Sequence, residues 1–367
     1  MSEWSVPESE VMDVAGDLLD EGADAMLATV VDVRGSAYRR PGAKMVVTPG
    51  EGGVGAITAG CLEDEVRRLA RGVLDTGDAR VETYDLMTDD DVWGMGVGCN
   101  GVLDVLLEPL DDSFRRAVDA YAAGDDTVVY TVIASDDDRL AVGDRAYADA
   151  LDGFPPDVAA ALEDRDPGGS SHAATVDTDR GTATVFVDVI DAPADFVVVG
   201  TGHDARPVVD LAARMDFSVT VAGFRGAKSK AERFPAADAV VSTSPRSLTD
   251  DVDIDADTVV VVMTHNYVDD RLAVEALLDT DAPYVGLMGP DDRFQEMLGD
   301  FADEDVTFTD AQLDRVYTPV GLDLGGGAPE QVALSIVAEA LAVHNDRTGG
   351  SLRRIDGHIH DRPAADD

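Results

Sequence analysis

Residues 195–222 carry the pattern that most restricts how this chain can fold. Asp195-Phe196-Val197-Val198-Val199 is an apolar run of the kind buried on both faces of a sheet. It leads into Gly200-Thr201-Gly202-His203-Asp204-Ala205, a helix is predicted through Met215, and a second strand follows over 217–222. Strand, G-x-G-x-x-A, helix, strand describes a βαβ unit, in which glycines permit a tight turn and a close backbone approach to a ligand. Further strands over 239–242, 258–263 and 284–287 alternate with helices near 269–278 and 292–301. That alternation predicts a Rossmann-like, doubly wound parallel sheet.

In such sheets ligands gather at the carboxyl ends of the strands. Gly200, Gly202 and His203 are therefore candidate contacts to a nucleotide phosphate, and Thr264-His265-Asn266 follows another strand. His265 reads equally as a structural hydrogen-bonder or as a ligand or acid/base group. Asp270 reads equally as a helix-surface charge. A dinucleotide fold usually ends its second strand in a carboxylate that holds the ribose hydroxyls. Here that strand ends Ala222-Gly223-Phe224-Arg225, which argues against ordinary NAD use. Arg225 suits the 2′-phosphate of NADP, another phosphate, or no ligand. Residues 319–330 form a second glycine-rich loop, containing Asp323, before the apolar helix 331–343. Pro329 and Glu330 suit a first helical turn, and the loop reads either as an anion site or as a packing turn.

The amino-terminal half is organised around residues 31–66. The whole chain of 367 residues holds 28 Lys plus Arg against 74 Asp plus Glu, a net charge of −46. Yet Arg34, Arg39, Arg40 and Lys44 fall within eleven positions, with no acid between Asp32 and Glu51. Seven glycines surround them, and the stretch contains Cys61 in Gly60-Cys61-Leu62-Glu63. Glycine backbone and clustered cations suit an anionic small molecule. A twisted hairpin with surface cations is the other reading.

Around this island the spacing predicts a helix over 11–19, strands over 26–33, 44–48 and 54–58, and a helix from about 61 to 74. Strands follow over 80–84 and 102–107, the latter ending in Glu108-Pro109. Beyond them come a helix over 114–123, strands over 127–134 and 140–147, a helix near 157–164 and a hairpin over 173–178 and 182–190. An α+β domain over 1–192, a Rossmann-like domain over 193–345 and a polar tail over 346–367 are expected. The tail's His358-Ile359-His360 reads as incidental to metal binding.

Cys61 and Cys99 both fall in glycine-rich loops, with 37 residues between them. That spacing fits no zinc pattern. A thiol at a strand-to-helix switch is activated by the helix dipole, although Glu63 and Asp64 oppose thiolate formation. A small buried apolar filler is the alternative for Cys61. Two loop thiols meeting around a soft ligand would need proximity that spacing does not fix.

Acid spread along the whole chain reads as adaptation to a salt-rich cytoplasm, where screening blunts self-repulsion. It disfavours nucleic acid and anionic membranes as partners. The start lacks the apolar core of a signal peptide, the aliphatic runs are too short to span a bilayer, and a cytoplasmic homodimer is expected.

Taken together, the motifs resemble the XdhC/CoxI family. Residues 35–43, Gly60-Cys61-Leu62-Glu63, Gly98-Cys99-Asn100-Gly101 and Glu108-Pro109 resemble its amino-terminal half. Gly200-Thr201-Gly202-His203, residues 233–238, Thr264-His265 with Asp270, and residues 319–323 with Pro329-Glu330 resemble its Rossmann-like half. The resemblance covers nearly all of 25–343 in the same order. It implies an accessory protein for molybdenum hydroxylases such as xanthine or carbon monoxide dehydrogenase. Such a protein would bind the molybdenum cofactor, as molybdopterin or its nucleotide form, and protect it while it acquires its sulfido ligand. It would then insert the cofactor into the apo-enzyme, with a cysteine desulfurase as a further expected partner. No turnover of a metabolite is implied.

On that resemblance Arg34, Ser36, Arg39, Arg40 and Lys44 would meet phosphate, and Gly60, Cys61, Glu63 and Cys99 would line the site. Either thiol would suit molybdenum or transferred sulfur. Gly200, Gly202, His203, Arg225, Thr264, His265 and Asp323 would serve a nucleotide end. Two departures stand out: Gly223-Phe224 where family members commonly carry an acidic pair, and Asn266 where an Asp often follows Thr-His. The rivals are an NADP-dependent oxidoreductase with His265 as acid/base, and a scaffold protein whose pockets are vestigial.

Overall fold

The computed structural model describes residues 6–50, 52–86, 101–163 and 165–354. Contacts divide the chain into two compact units, Met1–Ala192 and Pro193–Arg362.

The first unit opens with α1 (Glu8–Glu21), followed by β1 (Met26–Gly35), β2 (Lys44–Thr48), β3 (Gly52–Gly55), α2 (Glu63–Thr76), β4 (Arg80–Asp85) and β5 (Gly101–Pro109). Then come α3 (Asp112–Ala123), β6 (Thr127–Ser135), β7 (Arg145–Tyr147), α4 (Pro156–Glu163), β8 (His172–Thr178) and β9 (Gly181–Ile190). One antiparallel sheet has the order β3-β2-β1-β5-β4, and a second has β7-β6-β9-β8.

Strand β1 is apolar on both faces because both are covered. Met26, Ala28 and Val30 pack with Leu62, Val66, Ala70 and Val73 of α2 and the turn before it. Leu27 points the other way, into a cluster with Val11 and Ala15 of α1 and Phe114 and Ala117 of α3. Burying each Leu or Val side chain contributes about 1.5–3 kcal/mol, so α2 is held chiefly by this seam.

Two buried ion pairs join the two sheets. Lys44 at the start of β2 donates from Nζ to Asp188 Oδ1 of β9 at 3.0 Å and to the Gly42 carbonyl at 2.9 Å. Arg145 of β7 donates from Nη2 to Glu108 Oε2 of β5 at 2.6 Å. Burial pushes the Glu108 carboxyl up, and the Arg145 guanidinium opposes that shift.

The expected strand over 140–147 is reduced to Arg145–Tyr147. Side chains compete with the ladder there: Asp144 Oδ2 accepts the Ala141 N–H at 2.8 Å, and Asp137 is bonded to Arg139 at both its backbone N–H and its guanidinium. The third strand ends at Gly55 rather than at Thr58, because Thr58 is drawn into the turn described below. The Cys99 loop and His358-Ile359-His360 lie outside the described residues.

The second unit holds β10 (Asp195–Val199), α5 (Ala205–Ala213), β11 (Ser218–Gly223), β12 (Ala239–Ser242), α6 (Leu248–Asp251), β13 (Val259–Val262), α7 (Tyr267–Leu278) and β14 (Tyr284–Leu287). It continues through α8 (Asp291–Asp303), α9 (Asp310–Leu313), β15 (Val316–Tyr317) and α10 (Pro329–His344). All six strands run parallel in the order β12-β11-β10-β13-β14-β15, which is a doubly wound Rossmann-like sheet. The chain order reverses between β10 and β13, so the topological switch lies between Gly200 and Thr264. Valines of β10 and β13 are buried on both faces, against α5 and α10 on one side and α7 and α8 on the other. The sixth strand, only two residues long, has too little pattern to be read from sequence. Among the described residues no helix is long and apolar enough to cross a membrane.

The Lys44–Asp188 pair supplies a direct test. Lys44→Met strands a buried carboxylate, and a stability loss of about 3–5 kcal/mol is expected in denaturant unfolding of the full chain. Adding Asp188→Leu removes the stranded charge and should recover most of that loss. A double variant as unstable as the single would show that the pair does not set the packing between the sheets.

Candidate functional site

In the first unit, the turn before α2 is built by one carboxylate. Glu63, the first residue of the helix, folds back so that its Oε1 accepts the Thr58 N–H at 2.8 Å and its Oε2 accepts the Leu62 N–H at 3.1 Å. The Thr58 hydroxyl donates to the same carboxylate at 2.7 Å and accepts the Cys61 N–H at 3.0 Å. Glu63 is 2% exposed, so its charge is satisfied entirely within the turn. Glu63, expected at a ligand, shapes the loop that borders the cleft. Gly60 sits at the apex with φ +107°, and a Cβ there would project into open space. A side chain is disfavoured by backbone conformation at this point and nothing fills the volume in front of it.

That volume belongs to a cleft of about 470 Å³, whose walls include Val6 just before α1 and Glu8 at its start, Tyr38 and Arg39 of the β1–β2 loop, Gly55 at the end of β3, and Ala56, Thr58, Ala59 and Gly60 after it. Lys44, Glu63 and Asp64 also reach it. The cation cluster read from sequence is divided by the fold. Arg34 points along the sheet, donating to Asp32 and to Asp104 at 2.8 Å each, and these carboxylates raise its pKa further, Asp104 most. Lys44 is held by Asp188. Arg39 faces the cleft and pairs with Glu8. Arg40 and Ser36 are exposed on the loop. Cys61 is half-buried beside the α2 seam, one residue past the Gly60 apex. Cys99 lies outside the described residues.

Tyr38 is not among the site residues expected from sequence, although it stands 65% exposed on the cleft wall. An aromatic inside a basic, glycine-rich loop, in a chain only 5% aromatic, was the available signal. Glu8 and Thr58 carried none, because their roles depend on contacts made after folding.

The second unit presents a crevice at its switch point. A Cβ on Gly200 would lie 2.5 Å from the Met263 carbonyl, so glycine lets the ends of β10 and β13 meet. His265 occupies left-handed backbone, φ +59°, and its Nε2 lies 2.7 Å from Asp204 Oδ2. An ionised carboxylate only accepts, so Nε2 carries the proton of this bond.

The ground under His265 is rigid. Asn266 caps α7 through the Asp269 N–H at 3.0 Å. The Thr264 hydroxyl donates to Asp270 at 2.5 Å, and Arg293 pairs with the other oxygen of that buried carboxylate. Burial pushes Asp270 up, against the pull of Thr264 and Arg293. Arg225 pairs with Asp269 at 2.5 Å. His203 and Asp323 are exposed, and the loop around Asp323 is tied to α10 by Ser335 and Glu339. Among the described residues no group of three or more His, Cys, Asp or Glu is placed to hold a metal ion.

Comparison with known proteins places this geometry. The XdhC and CoxI family matches residues 18–85, and the XdhC Rossmann domain matches 196–340. A relative from Bacillus subtilis (strain 168), described as a probable xanthine dehydrogenase component, is 28% identical over 329 residues, covering 88% of this chain and 94% of that protein. The uncharacterized protein YqeB of Escherichia coli (strain K12) is 28% identical over 175 residues, covering 47% of this chain and 32% of its own length. The crystal structure of a xanthine dehydrogenase from Bacillus halodurans superposes with TM-score 0.74 at 25% identity, covering 95% of this chain and 97% of that one. Both halves of the architecture are thus matched in order, and the chain belongs to the XdhC/CoxI family.

Proposed function

We propose that this chain is a maturation accessory protein for a xanthine-dehydrogenase-type molybdenum hydroxylase, and that the cleft of its first unit seats the molybdenum cofactor. The observation that carries this reading is where the cleft falls. All its lining residues except Val6, Glu8 and Val11 lie inside the matched segment 18–85. The names of the Bacillus relatives point to the client class.

The residues present suit such a ligand. A volume of about 470 Å³ is within the range of small-molecule sites. The cofactor is a pterin dithiolene with a phosphate, so it needs an anion contact, room for a flat ring and a soft edge. Arg39, paired with Glu8 on the cleft wall, would exchange that carboxylate for phosphate and meet it through paired donors. Tyr38 offers a flat face. Asp64 offers an acceptor to the ring's N–H groups. Gly60 admits backbone contact, and Cys61, which follows it in the chain and packs beside α2 outside the cleft lining, would have to turn toward the ligand to act as the soft group. When bound, the molybdenum centre supplies the redox chemistry used later by the client enzyme. The accessory chain binds it, shields it during sulfuration by a cysteine desulfurase, and releases it to the apo-enzyme.

The NADP reading is weakened by particular contacts. Arg225, the candidate for a 2′-phosphate, is paired with Asp269. A side chain at Gly223 would collide with Ser229 Oγ, so the place of a ribose-holding carboxylate is filled.

The full chain, incubated with molybdopterin and desalted, should retain it in roughly equal proportion. Arg39→Ala and Cys61→Ala should each weaken retention by roughly tenfold, the scale of one lost charge-assisted or soft contact. Retention unchanged in both variants would remove the assignment. In a separate fluorescence titration NADPH should show no saturable binding at micromolar concentration; saturation there would favour the oxidoreductase instead.

A further inference from the structure

The second unit carries an island of positive charge that the proposed function leaves unused. The chain contains only three lysines, Lys44, Lys228 and Lys230. Lys44 is buried against Asp188. The other two are exposed on the loop between β11 and β12, with Arg225 before them and Arg233 after. Arg246 is exposed on the next loop, which follows β12. Residues 223–249 thus hold five Lys or Arg against two acids, Glu232 and Asp238, in a chain whose net charge is −46.

The two loops meet at one corner of the sheet. The Thr243 N–H donates to the Gly223 carbonyl at 3.1 Å, and a Cβ on Gly226 would lie 3.1 Å from Ser242 Oγ. The lysine loop is fixed by its own backbone: the Lys228 N–H donates to the Arg225 carbonyl at 2.7 Å, and Arg233 Nη1 donates to the Lys228 carbonyl at 2.8 Å. Its far end is anchored by Phe234, 1% exposed, with the Arg233 guanidinium over the ring. Ser229 closes on Gly223, where a Cβ would collide with its Oγ. Lys228 and Lys230 flank that anchored serine, and neither makes an ion pair among the described residues. Arg139, Arg145 and Arg293, by contrast, are each committed to a carboxylate. A loop held in this way presents its charges without a large ordering cost on binding.

We propose that this corner is a docking surface for a carboxylate-rich face of the client hydroxylase, with Lys228 and Lys230 as its central contacts and Arg233 and Arg246 beside them. The identity of the partner rests on the accessory role proposed above. A chain of net charge −46 repels an acidic protein over most of its surface, so the place where charge reverses sets the orientation of approach. The same net charge opposes a nucleic acid, whose phosphates extend well beyond a patch of five cations. A nucleotide 2′-phosphate would call on the cation at the strand end, and Arg225 is given to Asp269. The cations left over face a partner large enough to reach both loops.

The experiment treats the full chain and the cofactor-free hydroxylase of the same cells with a water-soluble carbodiimide, which joins a lysine amine to a carboxylate in direct contact. With Lys44 buried, lysine links from this chain should come from Lys228 or Lys230 and end on Asp or Glu of the hydroxylase, as read by mass spectrometry. Affinity is measured alongside by calorimetry at one fixed potassium chloride concentration. Lys228→Glu with Lys230→Glu should weaken binding by roughly tenfold or more, with the unfolding midpoint of wild type. Lys228→Arg with Lys230→Arg keeps the charge and removes the amines, so it should bind within about threefold of wild type and lose the links. The proposal alone is overturned if the Glu pair binds as tightly as wild type, or if the wild-type complex forms no link through either lysine. It is also overturned if an RNA oligonucleotide binds wild type and loses that binding in the Glu pair, which would make the corner a nucleic-acid site. Failure of wild type to bind the hydroxylase at all would remove the accessory role, and this docking surface with it.

Discussion

A buried lysine governs how much of this chain can meet a ligand. Lys44, 6% exposed, is bonded to Asp188 and to the Gly42 carbonyl, and so locks the strand that follows the basic loop onto the second sheet. A buried ammonium is tolerable only when paired, and the pairing removes it from any anion outside. The same rule recurs through a chain with 28 cations against 74 acids. Arg145 holds Glu108, Arg139 holds Asp137 and Asp157, and Arg293 holds Asp270. These contacts lie inside the units, where salt screens least, so they persist in conditions that erase surface attraction.

What remains for chemistry is set by this commitment. In the first unit the cleft is walled by α1, by Arg39 paired with Glu8, by the open Gly60 apex and by the turn that Glu63 ties, while Cys61, next in the chain, packs toward α2. In the second unit the strand ends converge on a crevice whose charges are already matched: Arg225 with Asp269, Arg293 with Asp270, His265 with Asp204. The first arrangement suits a ligand with a flat, soft body and one phosphate.

Much of the fold was legible because period and punctuation agreed. The valine runs of β10 and β13, each bounded by glycine or polar residues, could only be doubly buried strands, and Asp195–Val199, Ala239–Ser242 and Tyr284–Leu287 form where the sequence predicts them. The 140–147 strand failed because Asp137 and Asp144 bind nearby backbone N–H groups, an option that apolar periodicity does not reveal. The site was legible in outline only. A cluster of Arg34, Arg39, Arg40 and Lys44 in sequence looks like one patch, but Arg34 on β1 goes to Asp104, Lys44 on β2 goes to Asp188, and Arg39 in the loop between goes to Glu8. Glu63 could be placed at the turn, although not as its internal tether, because Thr58 gives no sign in sequence that it will receive the carboxylate.

The central claim is that the first unit seats the molybdenum cofactor between Arg39 and Gly60. Anomalous X-ray scattering at the molybdenum absorption edge, from crystals of the full chain loaded with cofactor, locates the metal without assuming a site. The account predicts one strong peak in that cleft, close to the Gly60-Cys61 turn. A peak in the crevice between Gly200 and His265, with none beside Gly60, would contradict it.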